Sequence, residues 1–291
     1  MTKTNIRKLC VAGCGTMGRQ IALCAAIHGI DTYLYNIRAA SLEKAGQWID
    51  EYLEGRIKKG RMTAEEVEKT RSRLHIEPNL EIAAADIDLL IESIVEKQDS
   101  KEVFFRQVNE IAPKDAVLAT NSSYMVSSLF VDCVTDPSRL ANLHFFNPAL
   151  VMKLTEIVVG PHTSERTVQI LEEFSKVIGK TSVRVNKEVD GFVVNRILRA
   201  LKEEAFWLAE NGVSTPEMID IAVELGLNHP LGPFRLTDMS GIDITYYQAD
   251  KRYKETGVKP KGYDLVREKF EANELGRKTG KGFYDYTKTE G

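Results

Sequence analysis

Apolar positions follow two alternating rhythms through the first two thirds of the chain. Short apolar runs read as buried strands, and longer stretches with an apolar residue every third or fourth position read as amphipathic helices. Leu9 to Ala12 is a strand-like run that stops at Gly13-Cys14-Gly15-Thr16-Met17-Gly18, after which Gln20 to His28 resumes at helical spacing. Asp31 to Asn36 is a second strand-sized segment, and Ser41 to Lys59 carries Leu42, Ala45, Ile49, Leu53 and Ile57 on one helical face. Further strands are predicted at Asp88 to Val95, Ala116 to Thr120, Arg139 to Phe145 and Lys153 to Val159, with a helix over Ser100 to Ile111. The alternation predicts an α/β fold, a mostly parallel sheet covered by helices.

After Ser182 to Val185 the pattern changes. Gly191 to Asn211 and Pro216 to Gly226 read as helices, the first with Val194, Leu201, Ala205 and Leu208 on its stripe and Gly212 as its stop. His229-Pro230-Leu231-Gly232-Pro233 has to turn, and one longer helix is predicted from Leu236 to Glu255. The expected division is a sheet domain over 1–186 and a smaller all-helical domain over 187–291.

The glycine motif adds chemistry to this outline. In a strand-turn-helix setting, Gly13 allows the sharp turn, Gly15 lets backbone approach a pyrophosphate, and Gly18 lets helix and strand pack closely. The helix N-terminus beyond it, from Thr16 and Met17, offers free N–H groups and a positive dipole end to an anion. The first domain is therefore expected to be a Rossmann-type, doubly wound dinucleotide-binding domain. An acidic residue closing the second strand would select NAD by bonding the ribose, but Asn36 stands there, with Arg38 two residues on. NAD is the expected cofactor, and NADP stays open.

Composition narrows the partners. The chain has 291 residues, with 39 Lys+Arg against 42 Asp+Glu, a net charge of −3 that argues against a nucleic-acid partner. No apolar run approaches the length of a membrane span, and the N-terminal segment leads straight into the glycine motif, so no membrane partner and a cytoplasmic location are expected. Cys10, Cys14, Cys24 and Cys133 form no C-x-x-C pair, so reduced thiols and no metal site are expected. One local exception to neutrality is Gly55-Arg56-Ile57-Lys58-Lys59-Gly60-Arg61, which suits either a polyphosphate or a solvated helix end.

His144-Phe145-Phe146-Asn147-Pro148 falls at the end of a predicted strand, the edge where open α/β sheets bind ligands. Glu156 lies in the next apolar stretch, where a carboxylate needs a partner. A His–Glu pair would fix the imidazole tautomer and leave the other nitrogen to move a proton.

Taken together, GCGTMGRQIA at 13–22, IESIVEKQDSK at 91–101, TNSS at 120–123, HFFNPALVMKLTEIV at 144–158, DGFVVNRIL at 190–198, HPLGPF at 229–234 and ELGRKTGKGFYDY at 274–286 resemble the 3-hydroxyacyl-CoA dehydrogenase family. The bacterial 3-hydroxybutyryl-CoA dehydrogenases are the most similar branch. The resemblance implies an NAD(P)-dependent oxidoreductase with His144 as general acid/base, Glu156 supporting it, and Ser123 and Asn195 bonding the substrate oxygen or the histidine. It implies cofactor contacts at Glu96, Lys101, Asn147 and Lys278, and an acyl-CoA substrate whose CoA lies against Lys59 and the region of Tyr52. Because Asn195 opens the helical domain, the site is expected between domains, and a homodimer through the helical domain is implied as well. Tyr124 and Tyr52, where serines are usual, and Asp190, where proline is common, depart from the family pattern and bear on the acyl pocket.

Overall fold

The computed structural model describes residues 6–287. Two compact units divide the chain, Met1–Val193 and Val194–Gly291. In the first, β1 (Lys8–Ala12), α1 (Thr16–Ile27), β2 (Asp31–Tyr35), α2 (Ala39–Lys58), α3 (Ala64–Arg71), β3 (Leu74–Glu77), α4 (Leu80–Ala84), β4 (Leu89–Glu92), α5 (Gln98–Ile111), β5 (Val117–Thr120), β6 (Leu140–Phe145), β7 (Leu154–Val158), α6 (Glu165–Val177) and β8 (Thr181–Val185) succeed one another.

The strands form one sheet in the order β3-β2-β1-β4-β5-β6-β7-β8. Every pairing is parallel except β6 with β7. The chain leaves β1 toward one edge and returns to β4 on its other side, so the crevice outside β1 and β4 is the topological switch point, where such sheets bind ligands. Central strands are buried on both faces and read as unbroken apolar runs. All of β4 and β5 is buried. One face is covered by α1, α2 and α6 through Ile21, Leu23, Leu42, Ile49, Leu171 and Phe174, the other by α4, α5 and a 3₁₀ turn at Ser127–Cys133 through Ala83, Phe105, Val108 and Phe130. The Rossmann-type expectation is met by this doubly wound arrangement.

Local differences from the sequence pattern have identifiable causes. The edge strand β3 has no apolar run, and its Ile76 is 42% exposed, so hydrophobicity gave no cue to it. The predicted strand beginning at Asp88 ends early because the Glu92 carboxylate accepts the Ile94 N–H at 2.7 Å and turns the chain.

In the second unit α7 (Val194–Glu210), α8 (Pro216–Gly226), α9 (Pro233–Ser240), α10 (Ile242–Thr256) and α11 (Tyr263–Glu271) pack around Phe206, Ile219, Phe234, Ile242 and Val266. Phe283 joins Phe206 and Phe234 at ring-centroid distances of 5.7 and 4.8 Å. The single helix expected over Leu236 to Glu255 is two helices, broken at Gly241, whose φ of 103° no helix accommodates. Its start also lies earlier, at Pro233, because the buried Asp220 of α8 accepts the Phe234 and Arg235 N–H groups at 2.9 Å each and caps α9 from the side. Likewise α7 begins only at Val194, since Gly191 and Phe192 are left-handed, with φ of 75° and 48°. Among the described residues, no helix is long and apolar enough to cross a membrane.

Candidate active site

The glycine loop joins β1 to α1 at the switch point, and its three glycines are held by different constraints. Gly13 has φ 101°, and a Cβ there would lie 2.3 Å from the Ser93 carbonyl oxygen beyond β4. A Cβ on Gly18 would lie 1.7 Å from the Gly13 carbonyl oxygen, so the helix packs on the turn itself. Around Gly15 no heavy atom lies within 4 Å of a Cβ position. Gly15 is the N-cap of α1, and neither a capping side chain nor an acidic residue occupies the first turn. An open, uncapped helix end with backbone N–H groups is what a diphosphate requires, so these residues fit a dinucleotide.

At the tip of β2 the Asn36 Oδ1 accepts the Arg38 N–H at 2.9 Å, so the amide NH₂ is the part of this side chain left to donate. Arg38 is exposed. Burial pushes the Cys14 thiol above its ordinary range, against a smaller opposing effect of a hydrogen bond with Asn36. Cys14 is therefore a neutral small side chain in the loop.

His144 and Glu156 face each other directly across the antiparallel β6–β7 ladder. Opposed residues of such a pair project from one face, and here the His144 Nδ1 meets Glu156 Oε2 at 2.9 Å with the carboxylate fully buried. Glu156 Oε1 accepts the Val193 N–H at 3.0 Å. The rings of Phe146 and Phe192 stand edge-on to the imidazole at 4.6 and 5.5 Å. With Nδ1 committed to a carboxylate, Nε2 is the nitrogen left for proton transfer.

A cleft of about 350 Å³ opens beside the glycine loop, lined among others by Gly15, Glu96, Lys101, Ser122, Ser123 and Tyr124. Asn121 connects it to the histidine strand, accepting the Phe145 N–H at 2.9 Å and donating to Ser93 Oγ at 3.4 Å. Asn142 holds the other side of the serine turn by donating to the Met125 carbonyl at 2.8 Å. Asn147, exposed after β6, receives a long hydrogen bond of 3.5 Å from Gln20. Sequence reasoning missed Asn121, Asn142 and the buried Glu92 beneath Lys101; the carboxylate at the end of an apolar strand was the available cue for Glu92.

A second cavity, of about 390 Å³, lies among α1, α2 and α3 and is lined by Tyr52, Arg56, Arg61, Lys69 and Arg73. Lys59 is the exposed C-cap of α2 just beyond Arg56. Lys69 comes from α3 and Arg73 from the turn just beyond its end, four residues on, a spacing present in the sequence but less conspicuous than the denser 56–61 run. In the second unit, Asn195 lies in the first turn of α7, and Lys278 Nζ pairs with Asp243 Oδ2 at 2.5 Å.

A glycine-loop sheet with an uncapped helix end at its switch point, and a buried His–carboxylate pair at a strand end of the same sheet, define a dinucleotide-dependent oxidoreductase that moves a proton with each hydride. Comparison with known proteins makes this specific. The sequence model for the 3-hydroxyacyl-CoA dehydrogenase NAD binding domain matches residues 8–189, and that for the 3-hydroxyacyl-CoA dehydrogenase C-terminal domain matches residues 191–286. The chain belongs to the 3-hydroxyacyl-CoA dehydrogenase family, and its cofactor is a nicotinamide dinucleotide. A probable 3-hydroxybutyryl-CoA dehydrogenase of Bacillus subtilis is 35% identical, the match covering 97% of this chain and 98% of the relative. The 3-hydroxybutyryl-CoA dehydrogenase of Clostridioides difficile is 37% identical over 97% and 100%. The crystal structure of (S)-3-hydroxybutyryl-CoA dehydrogenase from Ralstonia eutropha superposes with a TM-score of 0.90 at 34% identity, covering 98% of this chain and all of that one.

Proposed function

We propose that the protein interconverts (S)-3-hydroxyacyl-CoA and 3-oxoacyl-CoA thioesters of short acyl length, 3-hydroxybutyryl-CoA and acetoacetyl-CoA, with His144 as general acid/base. The observation that carries this reading is the His144–Glu156 pair, 2.9 Å apart across β6 and β7 and closed to water at the carboxylate. In oxidation His144 Nε2 takes the proton from the 3-hydroxyl, and Glu156 stabilises the imidazolium that forms. In reduction the same nitrogen returns the proton to the 3-oxo group. The nicotinamide, when bound, accepts or supplies the hydride. Ser123 and Asn195 donate to the substrate oxygen where charge develops. Glu96, Lys101, Asn147 and Lys278 contact the cofactor, whose diphosphate lies against Gly13 to Gly18.

NAD is the proposed cofactor, with NADP admitted. Asn36, its Oδ1 engaged by Arg38, offers a donor that a ribose hydroxyl or a phosphate accepts equally, and no carboxylate repels a 2′-phosphate. The cluster of cations lining the cavity beside Tyr52 suits the CoA phosphates, which supports an acyl-CoA substrate. A cytoplasmic homodimer completes the proposal. Acetoacetyl-CoA reduction followed by the absorbance of NADH, then of NADPH, tests it. His144→Gln is expected to lower kcat about 10³-fold while leaving the NADH Kd within about twofold. A variant with near-normal turnover removes His144 from its role, and wild-type protein inert toward acetoacetyl-CoA removes the substrate.

A further inference from the structure

Glu92, the last residue of β4, places a carboxylate with no exposed surface beneath the cofactor cleft. Its Oε1 accepts from Lys101 Nζ at 2.6 Å and from the Ile94 N–H at 2.7 Å, and its Oε2 accepts from Thr120 Oγ1 at 2.7 Å on the neighbouring strand β5. The Lys101 ammonium, only 1% exposed, also meets Glu96 Oε2 at 3.0 Å. Glu96 Oε1 in turn accepts from Ser122 Oγ. Ser122 Oγ accepts the N–H groups of Tyr124 and Met125 at 3.3 and 2.8 Å, closing the turn that carries Ser123.

We infer that Glu92 is a positioning residue: it anchors Lys101, and through Lys101 the Glu96 carboxylate and the Ser122–Met125 turn that border the cofactor. This rests on the cofactor roles proposed above for Glu96 and Lys101. Two physical arguments carry it. A buried ion pair is a poor source of stability compared with apolar residues of the same volume, and the rest of β4 is Leu-Leu-Ile, so strength alone gives no reason for a charge here. The bonds also run from buried to exposed groups. Glu92 is tied to two strands and a backbone N–H, whereas the Glu96 side chain is 43% exposed and takes its place from Lys101 and Ser122. Buried partners that orient groups contacting a ligand act in this way at metal sites, and the same geometry operates on an ammonium.

The test uses variants of the full chain, read by NADH fluorescence titration and thermal midpoint. Glu92→Gln is expected to raise the NADH Kd about tenfold. Thr120→Val leaves both charges in place and removes the bond to Glu92 together with the one that Thr120 Oγ1 accepts from the Ser122 N–H at 3.2 Å. It is expected to raise the Kd about threefold, and Thr120→Ser to return it to the wild-type value. In a Lys101→Met background, Glu92→Gln is expected to raise the thermal midpoint, because no carboxylate is left alone under the cleft, while leaving the Kd unchanged. An equal loss of NADH affinity in both backgrounds overturns the relay, as does a wild-type Kd in both Glu92→Gln and Thr120→Val. If Glu92→Gln does not fold, Thr120→Val is measured in the wild-type and Lys101→Met backgrounds: a loss of affinity confined to the first supports the relay, and an equal loss in both overturns it. Protein that binds NADH yet does not reduce acetoacetyl-CoA refutes the substrate reading and leaves the relay standing.

Discussion

Gly13, Gly15 and Gly18 occupy one motif, yet each answers to a different force. Gly18 has no room for a methyl group, so Gly18→Ala is expected to destabilise the protein by more than about 3 kcal/mol or to prevent folding, as strained overpacking against backbone does. Gly15 sits at φ −65° in open space, a conformation any residue adopts. Gly15→Ala is therefore expected to leave the thermal midpoint unchanged or slightly raised, by up to about 1 kcal/mol, while weakening NADH binding. Thermal melts beside NADH titrations of the two variants separate the roles; a Gly15→Ala protein that loses stability and keeps affinity would contradict them. At this scale the sequence was informative wherever spacing carries meaning. Three glycines and a histidine at a strand end could be seen in it, and Glu156 followed from the cost of an unpartnered carboxylate. Lys101 and Glu92 were opaque as a pair, because they stand nine positions apart across turn and helix and nothing in their spacing says that both point beneath the same cleft.

Elements were legible when their own residues decide them and obscure when a neighbour does. The central strands and α8 followed from hydrophobic pattern and from Pro216 as a start. By contrast α9 owes its start to Asp220 on another helix, and α10 its separation to one glycine dihedral, neither of which has a local periodic trace. Beyond α11, Glu274 lies between Lys269 at 2.6 Å and Lys281 at 2.5 Å. Its hydrogen bonds with Lys269 and then Lys281 hold its carboxyl below the usual carboxylate range. A lowered carboxyl pKa contributes stability above the unfolded-state value and loses it as pH falls through the folded-state value. Glu274→Gln is thus expected to cost less than about 1 kcal/mol near neutral pH, with the difference from wild type closing on acidification. Melting curves for both proteins across the acid limb check the direction; a gap that widens toward low pH would be incompatible with it.

For the whole molecule, a net charge of −3 conceals the local arrangement of its cations. Arg56, Arg61, Lys69 and Arg73 surround one cavity, while the glycine loop needs no side-chain cation to receive an anion. The two proposed phosphate-binding surfaces should respond differently to salt. Screening lengths shrink from about 10 Å near 0.1 M to about 3 Å near 1 M, so the KM for acetoacetyl-CoA is expected to rise several-fold over that range. The KM for the acetoacetyl-pantetheine analogue, which has no phosphates, should stay flat. Parallel changes would place the CoA phosphates away from these cations.

The pairing of His144 with Glu156 also limits how relatives of this chain can change length. Their contact belongs to strand register, and the intervening loop only carries the chain from one strand to the other. Residues gained or lost within that loop leave the pair intact provided β6 and β7 keep their alignment. A slip of one residue in β7 would instead put Thr155 or Ile157 opposite the histidine and turn the carboxylate to the other face of the sheet. An insertion in the loop that spares Asn147 and the buried Ala149 should leave the His–Glu pair in place, whereas even a single deletion inside either strand removes it at once.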